Sequence, residues 1–450
     1  MILLPHIILL IALIVNYLLL NSFGRVLLIL PLVLIYMITC TVIHIMPFGL
    51  RQLSSFRLKI LQGGRYLLRF CFWGFGIQLA FYLLMEALNG WDFMTDFRDA
   101  ETGIILILID LIFCCVHFFL FLLNACIRIL STCRRLGVVK RLLIILWMWI
   151  PVLNLFLLRY LGRKAREEMD QEICRFENRK ERNGQMICAT RYPLVLLHGI
   201  GFRDLQYFNY WGRIPKELAA NGAVVYYGHQ EAWGTIEANA QTIKTTIERV
   251  MEENHCDKVN IIAHSKGGLD ARYLISGLHM EEHVASLTTM STPHRGSELL
   301  NLLNKLPDGI YRFIASLFDA NYRKLGDTAP DCYHASKQLS AAFCQEFNEK
   351  YPDSPKVYYQ SYASVVKSAL GDSLLSIPNL LMFLAGASQN DGLVTVESAK
   401  WGNFKETFVS TGRRGISHGD MIDLKREDYK GFDVIEAYVK IVEELKEMGY

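Results

Sequence analysis

No two cysteines in this chain stand at C-x-x-C spacing, so the zinc-ligand pair that such spacing supplies is missing. Eleven cysteines over 450 residues are also too sparse for a disulfide framework. The five outside the apolar first third, Cys174, Cys188, Cys256, Cys332 and Cys344, form at most two pairs. Charge of one sign is scarce as well: Lys and Arg number 47 against 44 Asp and Glu. A balance of +3 with no long basic stripe excludes a nucleic-acid partner. The first apolar run, Met1 to Leu20, has no charged segment before it and no small-residue cleavage site after it, which argues against a signal peptide.

What the chain has in plenty is apolar length. Hydrophobic residues make up 52%, and the excess lies in the first third. A bilayer-spanning helix needs about 20 mostly apolar residues. Five runs approach that length: Met1 to Leu20, Val26 to Met46, Tyr66 to Leu88, Gly103 to Cys126 and Leu142 to Leu158, the last carrying Pro151. The expectation is an all-α transmembrane region of about five helices over 1–160, a charged linker over 161–189, and a separate domain over 190–450. Basic residues Arg51, Arg57, Lys59 and Arg65 put one connection on the cytoplasmic side, and Arg134, Arg135, Lys140 and Arg141 put another there. Strict alternation then carries the 190–450 domain to the extracytoplasmic side of the cell membrane. Arg159, Arg163, Lys164 and Arg166 pull the other way, and a re-entrant fifth run would leave the domain cytoplasmic.

Beyond Thr190 the pattern changes. PLVLLHG, GAVVYYG, KVNIIAHS, VASLTTMST and KVYYQSYAS read as strands, with helical spacing between them. Alternating strands and helices predict an α/β fold, a doubly wound and mostly parallel sheet. The third strand runs directly into Ala263-His264-Ser265-Lys266-Gly267, one residue short of the G-x-S-x-G elbow. A small-x-Ser-x-Gly run alone fits a chance turn. A strand before it, a helix after it and His198-Gly199 upstream favour a nucleophile elbow at Ser265. The backbone N–H of Lys266 then faces a developing oxyanion, and Ile200, after His198-Gly199, offers a second. Asp391 in a polar turn and His418 in a glycine-rich loop follow in the order Ser, Asp, His. Asp372 is the alternative acid. His255, His279 and His283 lie near helix ends, and His264 flanks the elbow on the wrong side.

Read together, YPLVLLHGIGF, YWGRIPKELAANGAVVY, VNIIAHSKGGLDARYL, TTMSTPHRGSE, QNDGLV and SHGDMIDL resemble the bacterial triacylglycerol lipases of the Pseudomonas and Burkholderia type, over about Tyr192 to Asp423. The resemblance implies an α/β-hydrolase fold with Ser265 as nucleophile, Asp391 as acid, His418 as base, and Ile200 and Lys266 at the oxyanion hole. It implies a structural calcium with Asp420 and Asp372 as its carboxylate ligands. Amphipathic helices within 297–331, bearing Leu299, Leu303, Ile310, Phe313 and Leu317, match the mobile lid of such lipases.

The expected activity is therefore serine hydrolysis of carboxylic esters of lipids from a membrane anchor. No cofactor is required for the chemistry. The partners are a lipid ester substrate and the bilayer, with no oligomeric state specified. The same machinery also fits acyl transfer, or thioester cleavage on envelope lipids or lipidated proteins. A disused hydrolase fold serving as a non-catalytic membrane interaction protein is the alternative from another class, and retention of all three triad residues argues against it.

Overall fold

In the computed structural model the chain divides into two compact units, 1–181 and 182–450. The structure describes residues 55–88, 100–182, 184–202, 210–368, 375–384 and 389–450, with single positions elsewhere, Asp372 among them.

The second unit is built on a six-stranded parallel sheet, β1 (Leu194–Leu197), β2 (Val225–Tyr227), β3 (Val259–His264), β4 (Val284–Met290), β5 (Tyr358–Ser364) and β6 (Asn403–Phe408), in the order β2-β1-β3-β4-β5-β6. The near-continuous apolar runs of the central strands follow from burial on both faces. Successive side chains point to opposite faces, so Leu194 and Leu196 enter one core with Ile262, Tyr438 and Val442, while Val195 and Leu197 enter another with Ile243, Ile247 and Leu274. The first core is closed by helix Val434–Glu447, the second by helices Ile236–Asn254 and Gly267–Gly277. The strand order reverses between β1 and β3, which opens a crevice at their carboxyl ends where ligands of such sheets bind.

The sixth strand was not expected. The apolar residues after Asp391 enter a short helix, Val396–Ala399, and the strand lies further on. Asn403–Phe408 sits at the sheet edge, and Asn403, Lys405 and Glu406 are exposed, so its composition carries only a weak core signal.

The first unit is helical. Described helices run Phe56–Leu88, Ala100–Thr132, Val138–Trp147 and Leu153–Glu181. The first two expected spans, Met1 to Leu20 and Val26 to Met46, lie outside the described residues apart from single positions in the second. The fifth, Leu142 to Leu158, is not one helix. It breaks after Trp147 into a turn at Pro151 and Val152, where Val152 holds a φ of 66°. Pro151 cannot donate to a helical ladder, and a β-branched residue at positive φ cannot continue one. Among the described residues no helix is long and apolar enough to cross a membrane.

The charged run expected to link the two regions is mostly helical. Its first 21 residues, 161–181, extend the helix Leu153–Glu181, which buries Leu161, Ala165, Met169 and Glu168. Glu168 is fully buried because it receives Arg57 and the backbone N–H of Arg135 at 3.1 Å. A charged run that spends its charges on internal pairs packs rather than hanging in solvent.

Candidate active site

Ser265 follows β3 directly and adopts a φ of 56°, a left-handed conformation that few non-glycine residues hold. The strain is what a sharp strand-to-helix turn requires, and helix Gly267–Gly277 starts two residues later. Two glycines permit the close packing. A Cβ on Gly268 would lie 2.2 Å from Thr292 Oγ1, and one on Gly199 would lie 2.8 Å from Ser265 Cβ. Gly199 thereby brings the loop after β1 against the serine. Ala263 is fully buried and paired with Leu197 and Thr289, so its methyl is accommodated within the sheet, two residues before the turn begins.

Asp391 and His418 arrive from different connections, one between β5 and β6 and one after β6. His418 Nδ1 lies 2.8 Å from Asp391 Oδ2, and both side chains are buried. Asp391 Oδ1 accepts the N–H groups of Leu393 at 3.0 Å and Val394 at 2.8 Å, which fixes the carboxylate plane. With Nδ1 donating to Asp391, Nε2 is the nitrogen left to take a proton. Ser265 and His418 line one cleft of about 60 Å³ together with Ile200. Among the described residues no hydrogen bond joins the serine hydroxyl to the imidazole, a contact that in such sites commonly tightens only around substrate. Asp372, the alternative acid, lines the same cleft but pairs elsewhere.

Lys266 is the first residue after the serine, and its side chain is not at the surface. Its Nζ donates to Asp270 Oδ1 at 2.6 Å, one helical turn on, with both groups 1% exposed. Asp270 Oδ2 accepts from Asn239 Nδ2 at 3.2 Å, tying the elbow to helix Ile236–Asn254. Burial pushes the Asp270 carboxyl upward and Lys266 opposes it. The Ile200 loop is held in turn by Gly201, whose N–H donates to Ala232 O at 2.9 Å and whose carbonyl accepts Tyr322 Oη at 2.5 Å.

Two residues that sequence reasoning did not select join these parts. His264 Nε2 lies 3.1 Å from the His418 carbonyl, so that nitrogen carries the proton. Its Nδ1 then accepts from Tyr210 Oη at 2.6 Å, and the same phenol oxygen accepts the Gly199 N–H at 3.1 Å. Full burial, reinforced by neighbouring His418, drives the His264 pKa well below its ordinary value, so the ring stays neutral. His264 thus stands on the buried side of the elbow, linking the His418 turn to the loop that carries Ile200. The available signal was its place in the elbow itself, an imidazole inside a strand that was otherwise apolar at Ile261, Ile262 and Ala263.

The calcium expectation is corrected here. Asp372 and Asp420 do come together, but around cations of the protein. Lys425 Nζ lies 2.9 Å from Asp372 Oδ2 and 3.0 Å from Asp420 Oδ1, at ion-pair distance though off the hydrogen-bonding angle. Arg414 Nη2 bonds both Asp420 oxygens at 2.9 Å. Tyr429 Oη and the Ser417 N–H also donate to Asp420, at 2.7 and 3.0 Å. A calcium ion asks for six to eight oxygens, and these carboxylate oxygens are already engaged. The residues present do not fit the ion.

Beside Ser265 a second, larger cavity of about 260 Å³ opens, lined almost wholly by apolar groups including Leu299, Leu303, Ile314, Phe318 and Leu339. Helices Glu298–Leu303 and Asp308–Lys324 form its wall within the expected lid segment. Tyr311 and Ala315 turn inward, whereas Ile310, Phe313 and Leu317 are 51%, 63% and 50% exposed. The geometry provides a serine hydroxyl on a strained turn, an imidazole oriented by a carboxylate in the same cleft, and an apolar chamber beside the hydroxyl.

The family model described as palmitoyl protein thioesterase matches residues 193–426, more than half of the chain. Triacylglycerol lipase 2 of Saccharomyces cerevisiae is 29% identical over 269 residues, 55% of this chain and 77% of its own. A triacylglycerol lipase of Pseudomonas fragi is 27% identical over 293 residues, 58% of this chain and 98% of its own. Among solved structures, the mature form of Bacillus licheniformis lipase BlEst2 is 21% identical, with a TM-score of 0.43 over 56% of this chain and 92% of that one.

Proposed function

Because the chain belongs to the palmitoyl protein thioesterase family, we propose that it is a carboxylic-ester hydrolase acting on lipid substrates through an acyl-serine intermediate. The observation that carries this reading is the 2.8 Å contact of His418 with Asp391 across one cleft from the strained Ser265. In the proposed cycle His418 Nε2 takes the Ser265 proton as the hydroxyl attacks the acyl carbonyl. The N–H groups of Ile200 and Lys266 receive the oxyanion. Collapse expels the leaving group, which takes the proton from His418, and water activated by the same imidazole releases the acid. Asp391 holds the tautomer and stabilises the imidazolium. The apolar cavity takes the acyl chain.

The similarity to triacylglycerol lipases favours oxygen esters as substrates. The family description favours a second reading, thioester cleavage on lipidated proteins. Both use the same acyl-enzyme, and they differ in the leaving group alone. We further propose that the first unit anchors the enzyme to the membrane, with the hydrolase unit extracytoplasmic. Its long apolar runs support this, as do the exposed Trp73, Ile112, Phe119, Leu142 and Trp149 on its helices and turn.

The test is hydrolysis of p-nitrophenyl esters and of a palmitoyl thioester by the full chain, beside Ser265→Ala. The variant is expected to stay folded, to lose both activities and to lose labelling by a fluorophosphonate. Activity or labelling retained in Ser265→Ala removes the assignment. Protease accessibility of the hydrolase unit in sealed vesicles checks its side.

A further inference from the structure

The turn that presents His418 is bracketed by residues of one buried charge cluster. Ser417 donates its N–H to Asp420 at 3.0 Å and its hydroxyl to Asp372. Asp420 begins the short helix Asp420–Ile422, so the position of the imidazole depends on where these two carboxylates sit. Two carboxylates brought together out of water repel unless a cation lies between them. Lys425 Nζ supplies it, 2.9 Å from one and 3.0 Å from the other, and its side chain is 10% exposed. Arg414 adds a second positive charge, bidentate to Asp420 and 2.6 Å from Glu427.

We propose that the Lys425 ammonium, bridging Asp372 and Asp420, is a built-in cation that fixes the His418 turn in place of a divalent metal ion, making the folded protein indifferent to calcium and chelators. Lys425 is on this account a positioning residue. The accounting of donors supports it. Asp420 Oδ1 already faces Arg414, Tyr429 and Lys425, and Oδ2 faces Arg414 and the Ser417 N–H. A carboxylate offers about four lone-pair sites. An incoming divalent ion would have to displace two protein cations that are covalently tethered and so lose no translational freedom in neutralising the site, unlike a free ion. A tethered ammonium also cannot be removed by chelation or dilution.

The experiment uses the full chain in detergent. Thermal melts of the wild type are run with EDTA, with calcium chloride and with neither, and all three midpoints are expected to coincide. Lys425→Met keeps the stem and removes the charge; its midpoint is expected to fall by roughly 5 °C or more. Its kcat is expected to fall by about tenfold or more with KM little changed, as for a displaced base. Lys425→Arg keeps the charge and is expected to retain most of both. A wild-type midpoint that EDTA lowers and calcium restores overturns the proposal. So does a Lys425→Met chain that melts and turns over as the wild type does, or a Lys425→Arg chain as impaired as Lys425→Met. The kinetic arm rests on His418 acting as the base, whereas the melts do not, so an inactive wild type would count against that role and leave the built-in cation to be judged by the melts.

Discussion

Asp391 holds His418 twice, through its carboxylate at 2.8 Å from Nδ1 and through its backbone carbonyl, which accepts the histidine N–H at 2.9 Å. The main-chain contact survives any substitution at 391, so Asp391→Asn tests the carboxylate alone. An asparagine oxygen can still accept from Leu393 and Val394, and the melting midpoint should hardly move. The amide offers Nδ1 a donor where an acceptor is needed, which favours the wrong tautomer. We expect kcat to fall on the order of 10⁴-fold. Steady-state kinetics on a soluble ester check it, and a loss below tenfold would exclude Asp391 as the orienting acid.

Lys266→Ala separates the two roles of that position. The backbone N–H proposed to receive the oxyanion remains, but Asp270 stays buried and loses the Lys266 ammonium, keeping the bond from Asn239. Removing one member of a buried pair costs about 3–5 kcal/mol. Denaturant unfolding of the hydrolase unit should register that loss. Replacing both residues, Lys266→Met with Asp270→Leu, should recover most of it. If the single variant is as stable as the wild type, the pair does not pin the elbow.

Tyr210→Phe removes one oxygen and unseats two partners, the Gly199 N–H and His264 Nδ1. Each buried group left unpaired costs about 1–3 kcal/mol. The loops bearing Ile200 and His418 lose their common link, so a kcat loss of about tenfold to a hundredfold is expected, larger than the change in KM. Unchanged turnover would show that the loops hold their places without the phenol.

Much of this site was legible because its parts obey local rules. A serine after an apolar strand, with glycines behind it, announces a turn whose sterics admit few other sequences. Asp391 in a polar turn and His418 in a glycine-rich loop would each pass singly for structural residues, and it is their order after Ser265 that singles them out. Other parts depend on distance in space. Nothing near Lys425 in the chain says that its ammonium meets Asp372, 53 residues earlier. Asp420 and Asp372 do lie together, but the cations between them come from Arg414 and Lys425, whose charge reads in the sequence as surface. Likewise, the run after Leu158 carries enough charge to resemble a linker, and only Arg57, more than a hundred residues away, explains why Glu168 is buried. β6 escaped notice for the opposite reason, since an edge strand needs no apolar face.

Acid should destabilise the hydrolase unit through two buried histidines. Burial holds His264 and His294 well below their ordinary pKa, aided by His418 in the first case and by Arg272 and Arg295 in the second. With the folded pKa depressed, their contribution is complete above about pH 6.5, where both states are neutral. Below that the unfolded chain takes up protons that the native rings refuse, and stability falls by up to about 1.4 kcal/mol per pH unit for each histidine. His294→Asn, away from the cleft, should melt with a shallower pH dependence between roughly pH 6.5 and 5. Equal slopes for variant and wild type would rule out His294 as a contributor.

Helix Asp308–Lys324 exposes Phe313 and Leu317 one turn apart, while Tyr311 and Ala315 face the protein and Tyr311 Oη donates to Ser336 at 2.8 Å. An exposed apolar row beside the chamber at Ser265 is the kind of patch that meets an apolar partner, and the proposed lipid substrate is one. Changing Phe313 and Leu317 to Ser removes that surface and leaves the inward contacts alone. Each large side chain buried in a lipid phase contributes about 1.5–3 kcal/mol. The double variant should therefore lose on the order of tenfold or more in apparent kcat/KM on emulsified or bilayer-held esters. Its rate on a short water-soluble ester should match the wild type, because Ser265, His418 and Asp391 are untouched. Parallel assays on the two substrates decide the matter: an equal loss on both would assign the helix to the support of the catalytic groups, and no loss on either would leave the row without a part in meeting lipid.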